Sequence, residues 1–230
     1  MAVAYDNDTQ ALQNANVSSV TFSHTAAGSN RGILVYVCLQ GTSQTVSSVT
    51  YAGASLSLIG AQNNSDTSGP NRLEVWGLAA SATGANNVIV TLSANNTAWD
   101  ASAISFTGAH QTQASNFTGF QSAAQDNGIS ASISVTVTTG ATNDLVCSGT
   151  CSTFGGDGAA PGSGQTQQWL DNSGATNTMG STKAGGASVT MTENWGTNDA
   201  VATIAAVNIV QVSVDVLFPP WPARRFQVSL

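Results

Sequence analysis

Two histidines, three cysteines, twelve carboxylates and five tryptophans are the residues of this 230-residue chain with the means to carry chemistry. Nucleophilic hydrolysis needs a Ser or Cys beside a His that a carboxylate orients. His24 and His110 stand in no such setting. No Gly-x-Ser-x-Gly turn joins a strand to a helix, and Gly162-Ser163-Gly164 belongs to a glycine-rich loop. Both histidines read as strand-end or loop residues. Glycoside hydrolysis needs two carboxyl groups flanking one bond. Glu74 alternates with apolar Leu73 and Val75, which puts it on a solvated outer strand face. Glu193, just before Asn194-Trp195, is placed to line a groove but has no second carboxylate beside it in sequence.

Calcium binding would use loop aspartates as oxygen ligands. Asp6, Asp8, Asp66, Asp157, Asp171 and Asp199 are the candidates, and Asp6-x-Asp8 is the best local pattern. The glycine and the distal glutamate of a Ca²⁺ loop are missing, so the expectation is no metal, no cofactor and no catalytic residue. Cys38 lies in an apolar run and reads as a small core residue. Cys147 and Cys151 read as two core thiols on one strand face or, with a bend at Gly149, as a local disulfide. Trp99, Trp169 and Trp195 are candidate ligand-binding residues, because sugar faces pack on aromatic rings. Against that stands the habit of sandwiches to bury Trp, and Trp76 and Trp169 sit in strand patterns.

The elements that must position these residues are strands. Arg72–Ala80 alternates with period two, and short β-rich runs of this kind recur between clusters of Gly, Asn, Ser and Asp. Ile33–Leu39 is apolar throughout, the mark of a strand covered on both faces. Val46–Ala52 and Ala54–Gly60 read as a hairpin across Ala52-Gly53. Later runs fall at Asn87–Ser93, Ala98–Thr107, Ile129–Thr138, Asp144–Phe154, Asn177–Lys183, Ala187–Glu193 and Ala200–Val210. No helical pattern of useful length and no fixed-period repeat is visible. The expected fold is therefore an all-β, antiparallel jelly-roll-like β-sandwich spanning residues 17–211. Residues 1–16 would be an arm or weak strand, and residues 212–230 an extended C-terminal arm.

Composition bounds the partners. Asp, Glu, Lys and Arg make up 7% of the chain, against about 25% in ordinary soluble domains. The net charge is −7 with five basic residues, which excludes a general nucleic-acid surface. No apolar run is long enough to cross a membrane. The N-terminus lacks the basic and apolar regions of a signal peptide, so synthesis in a host cytoplasm is expected. The tail holds Trp221, Arg224, Arg225 and Phe226 after Pro219-Pro220, residue types enriched at interface hot spots. It reads either as packing back on its own domain or as docking on a neighbouring subunit.

Six segments, Asn30–Val37, Val49–Leu56, Arg72–Leu78, Val88–Ser93, Ala103–Gly108 and Gly164–Trp169, together with Ala200–Val210, resemble a jelly-roll-like module of phage virion proteins and bacterial surface proteins. The resemblance implies a structural virion protein, a capsid decoration or tail component. Its partners would be other virion subunits, with no nucleic acid and no membrane among them, and it would form a homo-oligomer. The alternative it implies is a carbohydrate-binding or adhesive surface module, extracellular, with a glycan as partner. The motifs that match are structural, so no catalytic site comes with them.

Overall fold

Three stretches lack the polar alternation of a one-sided strand: Gly32–Gln40, Trp99–Thr107 and Val201–Ile209 are buried at almost every position. Such strands must be covered on both faces. The computed structural model covers them by stacking four antiparallel sheets. It describes residues 1–13, 16–138, 140–154, 159–172, 175–195 and 201–212.

The first half contains β1 (Ala4–Gln13), β2 (Val17–Ala26), β3 (Gly32–Gln40), β4 (Val46–Tyr51), β5 (Ala54–Ser55), β6 (Ser57–Asn64), β7 (Asn71–Ala79), β8 (Gly84–Asn96) and β9 (Trp99–Thr107). One helical turn, α1 (Gln113–Asn116), leads into the second half. There follow β10 (Phe117–Gln125), β11 (Ser132–Val137), β12 (Leu145–Phe154), β13 (Ala160–Pro161), β14 (Thr166–Asp171), β15 (Thr178–Ala184), β16 (Val189–Asn194) and β17 (Val201–Ile209).

The strand orders expose a relation that the residues hide. The first half makes sheets β1-β9-β3-β7-β6 and β2-β8-β4-β5; the second makes β10-β17-β12-β15-β14 and β11-β16-β13. Putting β10 for β1, β11 for β2, β12 for β3, β13 for β4, β14 for β6, β15 for β7, β16 for β8 and β17 for β9 turns one pair of orders into the other. Among the described residues only β5 has no counterpart. The chain is therefore one winding pattern used twice, where its sequence predicts a single interleaved sandwich over residues 17–211. Of the two N-terminal readings, arm or weak strand, the strand holds: β1 pairs with β9 from Ala4 to Gln13, with one irregularity at Asp6.

Side-chain alternation builds the layers. From β3, Ile33, Val35, Val37 and Leu39 enter a core shared with Val49, Val88 and Val90 of the first outer sheet. Leu34, Tyr36 and Cys38 point the other way, into a middle core with Cys147, Cys151, Trp169, Ala205, Val207 and Ile209 of the second half. From β17, Ala202, Ile204 and Ala206 complete a third core with Ile133, Val135, Val189 and Met191. The middle core fits rings to glycines. A Cβ on Gly149 would lie 2.4 Å from Tyr36 Cδ1, one on Gly60 2.5 Å from Phe120, and one on Gly77 2.7 Å from Phe117.

The hairpin expectation holds for its turn and fails for its second strand. Ala52 and Gly53 both have positive φ (52° and 80°), as a two-residue turn that follows sheet twist requires. The chain then leaves that sheet at buried Leu56, and β6 joins β7 in the adjacent sheet.

All three cysteines lie in the core, as expected, but their pairing was not foreseen. Cys38 is bonded to Cys151, 113 residues away, and buried Cys147 is the free thiol. Cys147 and Cys151 share a strand face but are four residues apart, roughly 13 Å along an extended chain. Cys38 and Cys151 face each other across the middle core with Cα atoms 5.1 Å apart, within bridging range.

Candidate functional site

The three candidate ligand-binding tryptophans are brought together nowhere. Trp99, Trp169 and Trp195 are 0%, 3% and 5% exposed and sit in three different cores. Trp169 lies flat over Gly180, where a Cβ would come within 2.0 Å of the ring, and its centroid is 5.5 Å from that of Tyr36. A sugar-stacking platform needs an open ring face, so these residues do not form one. The four tail candidates, Trp221, Arg224, Arg225 and Phe226, lie outside the described residues.

Both glutamates are structural surprises. Glu74 was expected on a solvated face, yet it is 1% exposed. The face of β7 that carries it is covered by the first outer sheet. One carboxylate oxygen accepts from Arg72 Nε (2.7 Å) and the Val46 amide (3.1 Å); the other accepts from Trp76 Nε1 (3.0 Å). Glu193 is fully buried and lines no groove. Its Oε1 accepts from the Ser148 and Ser181 hydroxyls, each at 3.2 Å, while Oε2 has no hydrogen-bond partner. Burial pushes its pKa up to about 8, against the smaller lowering by the two hydroxyls. It is a neutral acid at the pH of most biology, set between two sheets rather than at a surface.

The histidines are apart from these acids. His24 is buried against Tyr51, with Nδ1 3.2 Å from Thr9 Oγ1, and burial lowers its pKa. His110 accepts the Thr112 amide at Nδ1 (3.1 Å). Among the aspartates proposed for calcium, Asp6 accepts from the Ala27 amide and Ser105, and Asp8 from Tyr5. Asp66 is held below the usual carboxylate range by the amides of Ser68 and Asn127. Among the described residues no group of three or more His, Cys, Asp or Glu side chains is arranged to hold a metal ion. Asp157 and Asp199 lie outside them.

What the fold does assemble is a cleft of about 740 Å³ where the halves join and the chain leaves β17. Its lining combines His110, Ala114, Ser115 and Thr118, in and around α1, with Ala141, Asp144, Val210 and Gln211. Asp144 is its anchor, and nothing in the local sequence marks it out. Its carboxylate accepts from Ala141 N, Asn208 Nδ2 and Gln211 N, all at 2.9 Å. The exit is fixed further by His110 N to Val210 O and Val212 N to Gly108 O, both 2.8 Å. Val210 and Val212 are thus both tied to the loop after β9 beside this cleft.

The two outer sheets present a second kind of surface. Ser19, Thr91 and Ser48 stand in register across β2, β8 and β4, and Thr21, Ile89 and Thr50 form the next row. On the opposite outer sheet Ser134 pairs with Thr192 and Thr136 with Thr190, whose hydroxyls are 2.9 Å apart. These residues are exposed or half-buried, and neither set of rows carries a charge. Among the described residues no helix is long and apolar enough to cross a membrane. No family model, curated protein or solved structure matches this chain.

Proposed function

We propose that the protein is a structural virion component, a capsid decoration or tail protein that works by assembly and not by catalysis. The observation that carries this reading is the duplicated winding. The orders β1-β9-β3-β7 and β2-β8-β4-β5 are in keeping with a jelly-roll course with β6 added at an edge, and the second half's orders match them except for a counterpart of β5. That supports the module implied by the sequence resemblance. Four stacked sheets with continuous cores make a stiff block, and Val212, the residue before the C-terminal segment, is tied to Gly108 beside the junction cleft. Trp221, Arg224, Arg225 and Phe226 are then the residues that engage neighbouring subunits. The buried Cys38–Cys151 bond fits residence in an oxidising medium, as for a released particle or a surface protein.

The test is the mass in solution of the full chain and of a chain ending at Val212. Defined oligomers for the first and a folded monomer for the second are expected. Two monomers would remove the arm as a device joining copies of this chain. A second reading, an adhesive module for neutral glycans, is favoured by the uncharged hydroxyl rows on both outer sheets, with the buried tryptophans taking no part. Retention on an insoluble neutral polysaccharide, unaffected by salt, would select it.

A further inference from the structure

Cys38 and Cys151 lie on β3 and β12, the counterpart strands of the two halves, each six residues after the first residue of its strand. Both are in the middle core and are 1% and 0% exposed. Apart from this bond, the halves are joined covalently only through the connection that contains α1. The two sulfurs meet only when each half has folded and the two have docked, because neither half holds both. The remaining cysteine, Cys147, shares that core but stands four residues before Cys151 on β12, roughly 13 Å away along an extended strand, so it is out of bridging range of Cys38 when Cys151 faces that residue.

We propose that Cys38 and Cys151 form a redox lock on the docking of the two halves. In a reducing compartment the chain folds and docks as a dithiol. In an oxidising medium a soluble disulfide, such as oxidised glutathione, closes the lock. The Cys38 or Cys151 thiolate attacks one sulfur of that disulfide, forms a mixed disulfide and releases one small thiol. The other cysteine's thiolate attacks the protein sulfur of the mixed disulfide, forming the Cys38–Cys151 bond and releasing the second small thiol. Two protein thiols are oxidised, one soluble disulfide is reduced to two thiols, and the protons from the cysteines pass to the leaving thiolates. Each attack needs a transient parting of the middle core, since both sulfurs are buried. The same burial shields the closed bond from reductant.

The experiment uses the full chain purified under reductant, then divided and treated with oxidised glutathione or left reduced. Thiols are counted in denaturant, and thermal unfolding is followed for both forms. The dithiol form is expected to give the same circular dichroism and three thiols; the closed form is expected to give one thiol and a midpoint higher by roughly 10 °C, as for a long closed loop. Dithiothreitol should open the closed form on the order of 100-fold more slowly in buffer than in denaturant, if opening follows parting of the core. A Cys38→Ala/Cys151→Ala double variant, which cannot form the bond, should unfold with the dithiol form. The proposal is overturned if the dithiol and the double variant are both unfolded, since the bond is then needed for folding. It is equally overturned by matching midpoints, or by reduction in buffer as fast as in denaturant.

Discussion

Glu193 makes the stability of the second half depend on pH in a direction opposite to that of a paired surface carboxylate. Its folded pKa of about 8 lies above its ordinary value of 4.5. The folded chain therefore holds a proton that the unfolded chain gives up, and stability falls as pH rises. The contribution is complete below about pH 4.5 and is lost progressively as pH climbs to about 8. At about 1.4 kcal/mol per pH unit, the span amounts to on the order of 5 kcal/mol. Glu193→Gln removes the ionisation and keeps an oxygen to accept from Ser148 and Ser181, while its amide replaces the oxygen that lacks a partner. Urea unfolding of wild type and variant, read by tryptophan fluorescence near pH 5 and near pH 9, separates this effect from others. Buried His24, whose lowered pKa weakens the fold as pH falls, is common to both proteins and cancels. The variant is expected to match wild type to within about 1 kcal/mol at the acid end and to exceed it by several at the alkaline end. A variant that gains less than about 1 kcal/mol between the two pH values would refute the buried-acid reasoning.

Two further substitutions probe the packing. Gly180→Ala drives a methyl into the Trp169 ring, and with it the Tyr36 contact; a loss of about 1–3 kcal/mol is expected in the urea midpoint, with a changed near-ultraviolet circular dichroism spectrum. Glu74→Ala leaves Arg72, the Trp76 indole and the Val46 amide without their acceptor beside the first core. A loss of about 3 kcal/mol is expected, and equal stability would show that the ion pair is worth no more than a surface one.

Much of the strand placement was legible because period-two patterning reports burial directly. Ile33–Leu39 read as covered on both faces, and it is. Trp99–Thr107 and Val201–Ile209 are covered on both faces as well, but Asp100, Ser102 and Ser105 interrupt the apolar pattern of the first, and the expected single sandwich did not anticipate the extra layers. Glu74 misled for the same reason: alternation places a residue on the opposite face of its strand, and in the inner sheets that face is also dry. The duplication left no repeat in the sequence because only the backbone course recurs, with different residues packed along it. The Cys38–Cys151 pair was beyond reach, since a 113-residue separation becomes 5.1 Å only through the stacking of two halves. The winding also hides the importance of Asp144, which ties its own loop at Ala141 to the end of β17 at Asn208 and Gln211, more than 60 residues away.

Tyr36 and Gly149 each stand four residues into their counterpart strands, and they meet. Suppose two identical first halves paired in the same way: tyrosine would confront tyrosine. Two identical second halves would leave glycine facing glycine across a void. A homodimer must use one residue type on both sides of its axis, and here the large and the small residue are divided between the partners. Carrying both halves in one polypeptide removes that constraint, so each is free to diverge as long as the other compensates. The result is an obligate heteropair: either half, made alone, would lack a complementary surface and could not replace its missing partner by pairing with itself.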